Sequence, residues 1–533
     1  MRHFYSYGPV DREEHFCVPR TQLTETCTGL LVGNINKGGH YFTIWAPRQT
    51  GKTWLMRQVR DEILVRHSER FVVGAMSMQG VSLTEGGPVE EFLGKLPRLM
   101  KKTFKVTVDT PDDWEGFSDF FLRDGGLFDR PVILFIDEFD KLPPLLIDRL
   151  VNQFRDMYLD RESYLLHGLA LIGVRAVLGV ESERGSPFNV QRSMHIPNFN
   201  REDVFELFQQ YMNETGQVIE PGVINRVYDV TRGQPGLVGW FGEILTEMYN
   251  PGIDNAIDTA FFEQTYQSVL TTQWNNTVLN LVKKARGNYT GHVIKLFTSS
   301  DVPFKIDENW CSYLYFNGVI DSETTSDRLG RKIDICRFTC PFIQERLYSA
   351  LSIDLMGETL PATALELLDT LEDVFEPGGW NLAALLKRYK GYLTRLKAKG
   401  LNPWHGQPRR ADLNYTEAVG HFHLYAWLQA AVGGRCIISP EFPTGNGKVD
   451  IHLRCGNTEG IIEVKSFTNM YDLEIGKQQA ARYAVSLGKD AVTIALFVPS
   501  DDKEVHESLS TADTLDGVTV TVVSIGWMAG IKD

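Results

Sequence analysis

With 533 residues the chain is too long for one hydrophobic core, and at about 150 residues per domain it is expected to fold as three or four. An apolar content of 43% and an aromatic content of 11% exclude long disordered spans, while 54 basic against 68 acidic residues, a formal charge of −14, exclude a uniformly cationic surface for nucleic acid. The seven cysteines form no C-x-x-C pair and read as reduced thiols; the N-terminus has no apolar signal region and no run nears the ~18 apolar residues of a membrane span, so a cytoplasmic protein without membrane contact is expected.

Residues 4–39 are mixed and say little. Residues 41–44 read as a buried strand, and from Lys52 to about residue 66 the apolar positions Leu55, Met56, Val59 and Ile63 recur at helical spacing. Between them lies Ala46-Pro-Arg-Gln-Thr-Gly-Lys-Thr, which matches the phosphate-loop pattern G-x-x-x-x-G-K-[ST] with Ala46 where the first Gly is expected. Ala fits that turn if its φ is negative. Arg48, Gln49, Thr50, Gly51, Lys52 and Thr53 would then bind nucleotide phosphates through backbone N–H groups and the Lys52 ammonium, with the Thr53 hydroxyl on Mg²⁺. A strand-turn-helix that merely carries Lys and Thr is the alternative.

A second strand is expected over 71–78, then helices through Phe92 and Leu99 and over 114–121. Residues 132–136, Val-Ile-Leu-Phe-Ile, read as a parallel strand buried on both faces, with Asp137 and Glu138 at its carboxyl end, where ligands of open α/β sheets gather. Asp137 would hold the Mg²⁺ and Glu138 would take a proton from the attacking water. A strand over 169–174 ends at Arg175, which either reaches a γ-phosphate or pairs at the surface. Asn200 is placed to cap a helix through Tyr211, and residues 231–236, Thr-Arg-Gly-Gln-Pro-Gly, mark a turn between helices.

Val18-Pro-Arg, Ala46-Pro-Arg-Gln-Thr-Gly-Lys-Thr, Ile133-Leu-Phe-Ile-Asp-Glu-Phe-Asp-Lys-Leu, Gly185-Ser-Pro-Phe-Asn-Val-Gln and Arg232-Gly-Gln-Pro-Gly-Leu follow one another in an order that resembles the AAA-like P-loop ATPases of prokaryotes related to the STAND switch class. The resemblance covers about residues 4–250. It implies an ATP-binding domain whose small helical lid carries the Gly-x-Pro turn and closes on ATP, often coupled to an effector module. Arg232 departs from it, standing where Gly or a small residue is usual.

From about residue 275 to 351, short helices (278–285, 292–297, 309–316) precede Gly318-Val-Ile-Asp and the alternating stretch 332–338, a pattern suggesting a winged helix, used for packing or for DNA. Residues 365–375 read as an acidic helix ending before Pro377-Gly378-Gly379, taken as a domain boundary. The charge then reverses: Lys387, Arg388, Lys390, Arg395, Lys397, Lys399, Arg409 and Arg410 occur with Tyr389, Tyr392 and Trp404 among them. Two readings stand side by side, a phosphate-backbone contact and a solvated helix face paired with the acidic helix.

The second chemical site lies further on. A long helix over 414–432 contains Glu417; residues 436–439 are apolar and followed by Glu441; strands around Asp450 and over 460–465 form a hairpin that puts Asp450 beside Glu463, with Lys465 on the face of Glu463. Two carboxylates and an ammonium make a Mg²⁺ or Mn²⁺ site for phosphodiester chemistry, Lys465 orienting water or stabilising charge. Gln479 and Tyr483 share a face of the next helix. His421 and His423 could be mistaken for metal ligands but read as partly buried non-ligands, His421 one turn from Glu417.

Asp450, Glu463-Val-Lys465, Glu417, Glu441 and Gln479…Tyr483 together resemble the PD-(D/E)XK nuclease superfamily over about residues 410–530, with Val449 before the Asp in place of Pro. The resemblance implies a metal set of Asp450, Glu463 and Val464, with Lys465, Glu417 and Gln479 in the catalytic group.

The whole is therefore expected to be an α/β multidomain protein: a P-loop NTPase parallel sheet (1–195) with helical lid (196–270), a winged-helix-like module (271–352), a helical basic connector (353–410) and a nuclease-like domain (411–533). The expected function is ATP-regulated or ATP-dependent, metal-dependent cleavage of nucleic acid, DNA rather than RNA, in prokaryotic defence. The alternative is an ATP-controlled switch that binds nucleic acid or a partner and cuts poorly. A protein partner or a homo-oligomer through the ATPase completes the expected contacts.

Overall fold

A computed structural model of the chain describes residues 2–84, 87–173, 192–298, 302–326, 331–356, 364–366, 369–376, 379–401, 404, 417–444, 447–456 and 458–527. Two compact units emerge: residues 1–268, 305–320 and 339–341 form the first, and 269–304, 321–338 and 342–533 the second. Arg175, Gly185 and the rest of that motif, Arg409 and Arg410 lie outside the described residues.

The first unit is an α/β layer structure. Its elements run α1 (Thr21–Val32), β1 (Tyr41–Trp45), α2 (Lys52–His67), β2 (Val72–Ser77), α3 (Leu96–Phe104), α4 (Trp114–Asp119), β3 (Val132–Asp137), α5 (Pro144–Leu159), β4 (Leu166–Gly173) and β5 (Arg192–His195). The five strands pair in the order β2-β3-β4-β1-β5, every pairing parallel. All six residues of β3 and all eight of β4 are buried, because a strand flanked on both sides in a parallel sheet has helices over both faces. Alternation divides β3 between two cores: Val132, Leu134 and Ile136 pack with α3, α4 and α5, whereas Ile133 and Phe135 pack with α1 and α2.

A helical part follows: α6 (Arg201–Thr215), α7 (Pro221–Thr231), α8 (Pro235–Glu243) and α9 (Thr259–Thr272). Asn200 caps α6 as expected, within a reciprocal capping box with Asp203. The expected turn is tight. Arg232 ends α7 in the left-handed conformation, φ 50°, which explains why a Gly would be usual there. Gly233 follows at φ 69°, and a Cβ on it would lie 2.0 Å from the Phe199 carbonyl oxygen.

Next along the chain, α10 (Asn276–Ala285) and α11 (Thr290–Thr298) belong to the second unit, while α12 (Asn309–Phe316) belongs to the first. The strands β6 (Ile320–Ser326) and β7 (Lys332–Phe338) pair as the expected two-stranded sheet, and α13 (Pro341–Met356) follows.

The acidic helix expected over 365–375 is not formed among the described residues. They make a turn and then β8 (Phe375–Glu376), paired with β9 (Gly379–Trp380). The cause is the basic helix α14 (Leu382–Ala398): Arg395 pairs with Glu366 at 3.4 Å and Asp369 at 3.0 Å, and Arg388 pairs with Asp373 at 2.6 Å while also donating to the Thr370 carbonyl. The segment's paired carboxylates and the Thr370 carbonyl are satisfied by α14, while its N–H groups close local turns, Asp369 to Glu366 and Val374 and Phe375 to Leu371.

The rest of the second unit is α15 (Glu417–Val432), β10 (Ile437–Thr444), β11 (Gly447–Cys455), β12 (Thr458–Ser466), α16 (Met470–Ser486), β13 (Ala491–Val498), α17 (Lys503–Leu509), β14 (Ala512–Leu515) and β15 (Val518–Gly526). These strands form one mixed sheet, β10-β11-β12-β13-β15-β14, antiparallel from β10 to β12 and parallel from β12 through β13 to β15. Ile461, Ile494 and Leu496 pack under Leu473, Ala480 and Ala484 of α16. No helix among the described residues is long and apolar enough to cross a membrane.

Candidate functional site

The loop from Ala46 to Gly51 connects the carboxyl end of β1 to the N-terminus of α2. Ala46 is fully buried and keeps a negative φ, so the methyl group is accommodated; the positive φ values fall on Gln49 at 58° and Gly51 at 88°. Left-handed residues alternating with right-handed ones turn successive N–H groups inward, the geometry that holds an anion. Lys52 Nζ donates to the carbonyl oxygens of Ala46 at 2.8 Å and Pro47 at 2.7 Å, folded over the loop itself. Burial, against the pull of Asp140, Glu138 and Asp137, lowers its pKa to about 8. Thr50 Oγ1 donates to the Pro47 carbonyl at 2.8 Å, which fixes the turn, and Arg48 is exposed.

Thr53 Oγ1 donates to Asp137 Oδ2 at 2.9 Å, joining the first turn of α2 to the end of β3. Asp137 is buried, which raises its carboxyl pKa, opposed by Thr53 and by the Glu138 N–H at 2.9 Å. A hydroxyl and a carboxylate converging at a helix N-terminus are the hard oxygen donors that Mg²⁺ takes. Glu138 adopts a left-handed backbone, φ 57°, and its carboxylate pairs with Lys141 at 3.0 Å.

The turn after α7 reaches the same loop. Gln234 Nε2 donates to the Arg48 carbonyl at 3.1 Å and to that of Gln49 at 3.3 Å, and the Gly236 N–H donates to the Gln49 carbonyl at 3.0 Å. Residue-by-residue reading of the sequence missed this clasp, since it joins positions far apart; the one local sign is a Gln just before the Pro that opens α8. A Cβ on Gly236 would stand 2.6 Å from Gln49 Cβ. Gly236→Ala is therefore expected to cost about 1–3 kcal/mol, read as a lower unfolding midpoint, and to weaken nucleotide binding measured by titration.

The family described as AAA-like domain matches residues 5–285, more than half of the chain. The chain belongs to this family. Within the AAA-like domain, β1, the phosphate loop, β3 and the turn after α7 all fall inside the matched region. No curated protein matches the chain. Among solved structures it is similar to the Walker-type ATPase PABY2304 of Pyrococcus abyssi, at 15% identity and a TM-score of 0.44, covering 64% of this chain and 98% of that one. It is also similar to the Aeropyrum pernix ORC1 protein solved in complex with DNA, at 13% identity and a TM-score of 0.33, covering 64% and 94%. The Thermotoga maritima RuvB Holliday junction branch migration motor matches at 14% identity and a TM-score of 0.32, covering 59% and 92%.

In the second unit, β11 and β12 pair with Ile451 opposite Ile462, and the next residues along the two strands are Asp450 and Glu463. The side chains of Asp450 and Glu441 lie outside the described residues. Glu463 is 2% exposed, and Lys465 Nζ lies 3.6 Å from its carboxylate and 3.6 Å from that of Glu417, at the start of α15. α16 crosses above: a Cβ on Gly476 would meet the Lys465 methylenes at 3.8 Å, and Gln479 stands three residues further along that helix. Tyr483 packs against the α16 core, and Val464 is buried. Among the described residues no group of three or more His, Cys, Asp or Glu side chains is arranged to hold a metal.

The histidines of α15 are core residues, as expected. Tyr348 hydrogen-bonds His421 Nδ1, and Tyr389 hydrogen-bonds His423 Nδ1 at 2.5 Å. Burial lowers the His423 pKa to about 3, against about 6.5 unfolded. The folded state thus binds fewer protons; this contribution to stability is full above about pH 6.5 and falls toward pH 3 by about 1.4 kcal/mol per unit. His423→Gln should flatten the stability profile between pH 6.5 and 4 by that slope, measured by urea unfolding.

Tyr389, Tyr392 and Trp404 are buried, and Arg388, Arg395 and Lys397, the last with Asp501 at 2.5 Å, are ion-paired. The structure thus favours the paired helix face over a stacking, phosphate-binding surface: α14 turns its aromatics into the core and its arginines to the acidic segment.

Proposed function

We propose that this protein is an ATP-regulated or ATP-dependent, metal-dependent nuclease, in which the AAA-like domain binds ATP with Mg²⁺ and the second unit cleaves phosphodiesters, DNA rather than RNA, in a defence role. The observation that carries the reading is the Lys465 ammonium held between the buried Glu463 carboxylate and Glu417, on a strand adjacent to the one that carries Asp450.

The donor chemistry suits a divalent ion. Asp450, Glu463 and the Val464 backbone would hold Mg²⁺ or Mn²⁺, which polarises a phosphodiester and lowers the pKa of bound water. Lys465 supplies fixed positive charge where negative charge develops, and Glu417 orients the ammonium. Gln479 would position the substrate from α16. In the AAA-like domain, Thr53 and Asp137 would hold Mg²⁺, Lys52 would exchange its loop carbonyls for phosphate oxygens, and Glu138 would leave Lys141 to take a proton from water. Arg175 completes the proposed ATP contacts.

The test is incubation of the purified protein with Mg²⁺ or Mn²⁺, with and without ATP, against single- and double-stranded DNA and RNA. Cleavage of DNA that depends on metal and changes with ATP is the expected result. Substrates bound but left uncut under every condition would overturn it in favour of a nucleotide-controlled binding switch.

A further inference from the structure

The β10–β11 hairpin carries a thiol pair at its open end. The ladder ends with Ile437 opposite Arg454; Cys436, the bend residue just before β10, and Cys455, the last residue of β11, flank that final pair on the same side. The Cys436 N–H donates to the Val432 carbonyl and not into the ladder, while Cys455 Sγ donates to the Arg435 carbonyl at 3.2 Å, which brings the sulfur to the residue beside Cys436. Residues facing each other across an antiparallel pair have Cα atoms about 4.5–5.5 Å apart, inside the about 4.4–6.8 Å that a disulfide spans. Cys436 is buried and Cys455 half-buried, so a small reagent meets Cys455 first.

We propose that Cys436 and Cys455 are an oxidative modification site, converted to a cross-strand disulfide by a small disulfide oxidant of the glutathione class. The Cys455 thiolate attacks oxidised glutathione, forming a mixed disulfide and releasing one glutathione thiolate. Cys436, once deprotonated, attacks the Cys455 sulfur and releases the second. Two protein thiols lose two protons and two electrons, and the oxidant is reduced to two glutathione thiols. Burial and the neighbouring Cys455 raise the pKa of Cys436, so the closing step speeds up as pH rises. The bond would tie β10 to the strand that carries Asp450. It is independent of the proposed nuclease activity.

The experiment is incubation of the full chain with oxidised glutathione over a range of alkaline pH, acid quenching, alkylation, and digestion without reduction for mass spectrometry. The expected result is a peptide linked through Cys436 and Cys455 that accumulates faster at higher pH, with the half-buried Cys17 acquiring glutathione alone. In Cys455→Ser, Cys436 should remain fully alkylatable. A stable mixed disulfide at Cys455 without linkage, or both thiols alkylated while Cys17 is modified, overturns the assignment, and the unsubstituted protein decides it alone.

Discussion

Lys52→Met should lower ATP hydrolysis by about 10²–10³-fold, because the substitution removes the cation at the helix end of the phosphate loop, where several kcal/mol of charge stabilisation is concentrated. The Met side chain fills the same space but leaves the Ala46 and Pro47 carbonyls without the Lys52 donor, so a modest fall in the unfolding midpoint should accompany the loss of activity. An associated titration tests the geometry without hydrolysis. Lys52 has a pKa of about 8 when it rests on backbone carbonyls, lowered chiefly by burial. A triphosphate beside it favours the charged form, so binding at pH 8 should take up about half a proton. Calorimetric binding enthalpies measured in two buffers of different ionisation enthalpy would then differ; equal enthalpies would refute the placement of Lys52 on the phosphates.

Glu463→Gln and Lys465→Met are each expected to lower nucleic-acid cleavage by about 10²-fold or more while leaving nucleic-acid binding within a few-fold. The first removes a metal-binding charge, the second the ammonium 3.6 Å from both carboxylates. Cleavage and binding must be measured separately, since a loss of both would mean that the fold around the buried Glu463 had suffered. Comparison with Lys52→Met then separates roles: cleavage lost only at Lys465 would make ATP binding irrelevant to the cut, and cleavage lost at both would make it obligatory.

The phosphate loop, the buried strand ending in Asp137 and the capped helix after Asn200 were legible because their chemistry is local: a run of apolar residues, a Gly-Lys-Thr turn and an Asn-x-x-Asp box each specify their own backbone. The hairpin of Asp450 and Glu463 was legible for the same reason, through alternation and a turn. What failed was decided by distant partners. Residues 365–375 have helical composition, yet Arg388 and Arg395 capture their carboxylates. Tyr389 and Tyr392 sit among cations in the sequence and among Trp427, Phe497 and His423 in the fold. The clasp of Gln234 and Gly236 on the loop is invisible to any window that does not span the 186 positions between Arg48 and Gln234.

The order of the first sheet bears on how the chain is made. β1, the first strand to be synthesised, ends in the middle, between β4 and β5, with Tyr41 opposite Leu169 and Phe42 opposite Arg192. Neither of its edges can be covered until residues 166–195 have left the ribosome, so the nascent protein carries an apolar strand with two open edges for more than a hundred residues of synthesis. Slow, late closure of this kind is where parallel sheets aggregate, and it makes yield at high expression temperature, more than the stability of the finished fold, the quantity most sensitive to substitutions in β5.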